Sequence, residues 1–117
     1  MSRPQGPVAA PPTLLPGAPG ESPIQRAARA VKQAEVWTQR LHDTGMALER
    51  RLGTEDSPTE SERQAFLAEE LSWRLAMKGY MNHFQSAARP EAVNRLGELV
   101  DSFGGKLRQI RIHLGGE

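Results

Sequence analysis

Three histidines and fourteen aspartates and glutamates are the side chains through which this chain of 117 residues could move protons or hold a metal, and cysteine is absent. Without thiols there is no disulfide framework, no cysteine-ligated zinc, no iron–sulfur cluster and no thiol nucleophile. His42 precedes Asp43, but consecutive helix positions point about 100° apart, so adjacency alone does not orient a dyad. Neither His83 nor His113 has a second histidine three or four residues away, and no HExxH stretch occurs, so no metal-binding helix is recognisable. The paired acids Glu55-Asp56 and Glu69-Glu70 are expected to be solvated, whereas acid–base catalysis needs carboxyls in contrasting environments facing one cleft. Gly104-Gly105-Lys106 lacks the earlier glycine of a phosphate loop, and no nucleophile elbow or dinucleotide fingerprint is present. The sequence therefore reads as non-enzymatic, with no cofactor and no metal.

The basic residues carry the second kind of chemistry, contact with phosphates. Arg26, Arg29 and Lys32 fall on one side of a helix, and Lys106, Arg108 and Arg111 crowd the C-terminal end. A nucleic-acid-binding accessory protein using these two patches is the alternative reading. Against it, neither cluster is interleaved with aromatic residues and no recognition helix is visible. The formal net charge of +1 provides no global field for polyanions. Nor is there an apolar run near the ~20 residues that a bilayer span needs. Val8 to Leu15 is broken by Pro11 and Pro12 and is no signal-peptide core. An intracellular, cytoplasmic setting is the corresponding expectation.

These groups must be positioned by helices. Seven of the nine prolines lie at or before Pro23, and no acid precedes Glu21. Residues 1–21 are accordingly expected to form a solvated Pro/Gly/Ala-rich tail, with residues 1–20 dispensable for folding, because such a segment buries too little to offset its ordering entropy. Its two PxxP spacings, at Pro4–Pro7 and Pro16–Pro19, lack the flanks of a polyproline ligand. Residues 22–117 then divide into helices of about 23–52, 58–88 and 90–114. Ser22-Pro23 reads as a cap with proline in the first turn, Ser57 with Glu60 as a capping box, and Arg89-Pro90 as the break between the last two helices.

The first helix has a narrow stripe of Ile24, Ala27, Val31, Ala34, Leu41, Leu48 and Leu52, with weak seam positions at Thr38 and Gly45. In the third, Val93, Leu96, Val100, Phe103, Leu107, Ile110 and Leu114 fill every heptad seam position. Gly104-Gly105 interrupts that seam, and a strand over residues 106–114 is the rival. Acids early and bases late in the segment favour one continuous helix, because that polarity complements the helix dipole. The fold class is thus all-α: an elongated, antiparallel, coiled-coil-like three-helix bundle.

Helix two is the informative element. Phe66, Trp73, Met77, Tyr80 and Phe84 form one stripe with four of the six aromatics, Leu67, Leu71 and Leu75 form a second, and Ala65, Ala68, Ser72, Ala76, Gly79, His83 and Ser86 form a row of mostly small residues. Three packable faces exceed what two neighbours need. The expectation is a non-catalytic interaction module (adaptor, assembly subunit or small chaperone) that binds a partner's helix or self-associates. Its partner-binding residues would come from Phe66, Trp73, Met77, Tyr80, Phe84 and Ala76. Either the aromatics are exposed as an apolar patch, or they form the core and the small row admits another helix.

Overall fold

The computed structural model describes residues 20–116; the proline-rich segment through Pro19 lies outside the described residues. The chain forms α1 (Pro23–Arg51), α2 (Glu60–Ser86) and α3 (Pro90–His113), with no strand among the described residues. α1 starts where Ser22-Pro23 places it. The Ser22 hydroxyl accepts from the Gln25 amide at 3.1 Å, and the Gln25 side-chain oxygen accepts from the Ser22 amide at 2.9 Å. This reciprocal pair satisfies two donors that a helix start leaves open.

The start of α2 differs from expectation by two residues. Its cap is Thr59, whose hydroxyl accepts from the Glu62 amide at 3.0 Å while Glu62 accepts from the Thr59 amide at 2.9 Å. Ser57 instead donates to the Thr54 carbonyl inside the connecting turn. Both serine and threonine offer the same S/T-x-x-E pattern. Glu62 has a further partner, since both of its oxygens accept from Arg51 at 2.9 Å, and this ties the cap to the end of α1.

α2 also stops earlier than expected. The Arg89 amide donates to the Phe84 carbonyl and the Ala88 amide to the Gln85 carbonyl, the pairing of a Schellman stop, which needs a left-handed residue between them. Ala88 takes that place with φ +56°. α3 ends by the same pattern, Gly116 to Arg111 and Gly115 to Ile112, but with glycine at φ +97°. In between, α3 runs through Gly104 and Gly105 without a break, so the helical reading of residues 106–113 holds.

The core lies along the mutual contact of all three helices. Partners between α1 and α2 rise along one as they fall along the other: Thr38 with Trp73, then Arg51 with Glu62. Between α1 and α3 they rise together, from Glu35 with Arg95 to Glu49 with Lys106. Leu96, Leu107 and Ile110 are fully buried, as are Ala34 and Thr38. The two weak seam positions of α1 are specific fits. The Thr38 hydroxyl donates to the Ala34 carbonyl and accepts from the Trp73 indole, both at 2.7 Å. At Gly45 a β-carbon would come within 2.7 Å of the Phe66 ring and 3.1 Å of Ile110, so only glycine lets these side chains approach. Ile24, expected on the seam, is 67% exposed.

Candidate functional site

The inner face of α2 is core. Phe66, Trp73, Met77, Tyr80 and Phe84 are all buried, which selects the second of the two arrangements expected from the sequence. These five side chains are covered by the chain's own helices and offer no surface to a partner. Ala76 sits at the edge of that core, partly buried against it. Turning outward from Ala76, Leu71 is 46% and Leu75 63% exposed. Ala68 and Gly79 are exposed as well, and a β-carbon at Gly79 would meet nothing. Two leucines flanked by small residues therefore project from a helix whose opposite side is fully packed.

The acids Glu69 and Glu70 overturn the expectation that they are solvated. They are 8% and 1% exposed. The aromatic stripe held a signal for this: between Phe66 and Trp73 the four-then-three step requires a seam residue at position 70, and glutamate occupies it. Burial of a carboxylate demands partners. Glu69 accepts from the Trp37 indole at 3.0 Å. Glu70 accepts from Arg74 Nε at 2.9 and 3.0 Å, and Arg111 Nε lies 3.4 Å from it. Burial pushes the Glu69 carboxyl above its usual range, opposed by the Trp37 hydrogen bond and the charge of Arg40. Burial likewise raises the Tyr80 hydroxyl, which has no hydrogen-bond partner among the described residues. These groups face protein, not a cleft. They specify how α1 and α3 seat on α2, and they provide no acid–base pair open to a substrate.

The histidines are peripheral. His42 Nδ1 lies 3.3 Å from Asp43, a contact that sequence adjacency did not promise, and the ring packs edge-on against Phe103. His113 lies 2.7 Å from Glu49, which also accepts from Lys106 at 3.0 Å. Those two hydrogen bonds hold the Glu49 carboxyl below its ordinary range. Among the described residues no three metal-ligating side chains gather, and no helix is long and apolar enough to cross a membrane.

The two basic patches are partly neutralised. Arg29 pairs with Glu21, Lys106 with Glu49, and Arg111 lies against Glu70. A separate feature is a groove of about 560 Å³ between the start of α1 and the start of α3, with the Ala88–Pro90 turn forming part of the wall opposite α1. No sequence pattern announced it, because its walls come from residues some sixty positions apart. No protein family, curated protein or solved structure matches the chain.

Proposed function

We propose that the protein is a non-catalytic helical interaction module, an adaptor or assembly subunit, that takes a partner's helix or a second copy of itself on the outer face of α2. One observation carries this reading: Leu71 and Leu75 stay exposed on a helix whose opposite side is packed, next to a glycine with open space above it. Small residues beside projecting leucines suit ridge-into-groove helix packing at close range. Isolated exposed leucines are ordinary on protein surfaces; here they form an i, i+4 pair on one face, the unit that helix recognition uses.

The test places a photo-cross-linking amino acid at position 75 and, as a control, at Asp101 on the solvent side of α3. Cross-links to a partner or a second copy from position 75, and none from 101, are expected. Leu75→Asp should keep the helical circular dichroism and thermal midpoint while losing the association. A chain that stays monomeric at high concentration and cross-links to nothing from position 75 overturns the reading.

A further inference from the structure

The groove between α1 and α3 is a second feature, separate from the α2 face. Its floor is Ala27, Val31 and Ala92, all buried, and Ile24 stands exposed at its lip. Small side chains keep it open. From Ile24 to Glu35, the α1 residues that bound it, it runs for about 16 Å at 1.5 Å per residue. Its volume falls within the range of ligand pockets, and an apolar lining with a few polar groups at the rim is their usual composition.

The rim is charged unevenly. Glu35 is held by Arg95. Lys32 on the α1 wall and Arg89 on the opposite wall have no ion-pair partner among the described residues. Glu91 is the acid set against them, which leaves an excess of one positive charge over the mouth. A narrow apolar trough with unpaired cations on both walls complements a molecule with an alkyl chain and an anionic head.

We propose that this groove binds a single-chain amphiphile carrying a carboxylate, with an alkyl chain of the order of twelve carbons lying on Ala27, Val31 and Ala92 and its head between Lys32 and Arg89. From Lys32 back to Ile24 the trough offers about 12 Å, so most of such a chain lies on the floor and its last carbons reach past Ile24 at the lip. The open mouth leaves the carboxylate partly in water, so affinity comes from the apolar floor and head-group selectivity from the two cations.

The test titrates the full chain with dodecanoate and, separately, with dodecyltrimethylammonium, both below their micellar concentrations, and follows backbone amide signals by NMR. Saturable shifts at Ala27, Ala28, Val31 and Ala92, with Leu71 and Leu75 unmoved, are expected for dodecanoate. Its affinity should exceed that of the cationic probe by about tenfold, the equivalent of roughly 1.4 kcal/mol. Lys32→Glu combined with Arg89→Glu should reverse the preference, and Lys32→Gln alone should lower dodecanoate affinity by about two- to fivefold, the range of an exposed ion pair. Ala28→Trp, at an exposed wall position, should weaken both probes by filling the trough. Equal affinity for the two head groups, shifts spread over α2, or indifference to both charge variants would overturn the proposal. So would uptake onto anionic phospholipid vesicles without saturable binding of dodecanoate, or a dimer in sedimentation whose interface covers Ile24.

Discussion

α2 and α3 are neighbours of similar length, yet they are secured by opposite means. α2 begins with a reciprocal cap fastened to Arg51, buries two glutamates against Trp37, Arg74 and Arg111, and packs an aromatic face. It ends on a non-glycine residue in the left-handed region. α3 begins without a side-chain cap, carries two glycines in its middle, and relies on an aliphatic seam. It then stops on a glycine suited to the turn. The difference teaches that helix formation here is decided by what is buried. α3 tolerates three glycines, at 97, 104 and 105, because Leu96, Leu107 and Ile110 are fully covered, and α2 tolerates a strained end because its inner face is committed along its length.

The sharpest way to break this comparison is Trp73→Ala. It removes a buried indole and the hydrogen bond to Thr38, so a loss of about 3–5 kcal/mol is expected in urea unfolding. Leu75→Ala, two residues on but facing outward, should change stability by no more than about 0.5 kcal/mol. Comparable losses at the two positions would mean that the α2 face is not divided as described.

For α3, the double change of Gly104 and Gly105 to alanine should raise stability by up to about 2 kcal/mol. A β-carbon at Gly104 would lie at ordinary contact distance, 3.7 Å from Val100, and one at Gly105 would meet nothing. Destabilisation measured by thermal unfolding would show that the helix does not pass through the pair.

A smaller gain, about 1 kcal/mol, is expected from Ala88→Gly, which removes the steric cost of the left-handed conformation. The matching change at the other stop, Gly115→Ala, should be destabilising in the same assay.

The smallest effect is one of pH. Glu69 has a raised pKa in the folded protein, so it binds protons more readily folded than unfolded, and its contribution to stability falls as pH rises past the ordinary carboxyl value of 4.5. Glu62 acts with the opposite sign. Held at about 2 by Arg51 and the Thr59 amide, it contributes stability above pH 4.5 that is lost as pH falls toward 2. Glu69→Gln keeps an acceptor for Trp37, so its stability relative to the parent should be greatest near pH 7 and shrink toward pH 4.5. A difference that is flat in pH would place the Glu69 carboxylate in water.

The sequence made the fold legible wherever a local signal had no competitor. Ser22-Pro23 and Arg89-Pro90 placed two helix starts, and the heptad spacing from Val93 to Leu114 carried α3 across its glycines. At Ser57 and Thr59 two equivalent caps lie side by side, and the one that forms is the one whose glutamate, Glu62, also pairs with Arg51 at the end of α1. Glu69 and Glu70 were misread because charge suggested solvent, whereas the indole and guanidinium partners that make their burial tolerable come from α1, α3 and the next turn of α2. The aromatic stripe announced a packed surface but not which surface. Ala76 alone of the six expected contact residues borders the exposed face, while Leu71 and Leu75, the larger part of that face, stand out in the sequence only as a secondary stripe.

The Schellman turn between α2 and α3 also has a consequence for the order of folding. Only Ala87, Ala88 and Arg89 separate these helices, against eight residues between α1 and α2. Closing a shorter connection costs less chain entropy, so the α2–α3 hairpin is expected to assemble first and α1 to dock onto it afterwards, delivering Trp37 and Thr38 to a surface already formed. On that order Ala88 is expected to belong to the folding nucleus. Relieving its strain should speed refolding in stopped-flow measurements and leave the unfolding rate almost unchanged, whereas substitutions at Thr38 should act chiefly on how fast the protein comes apart.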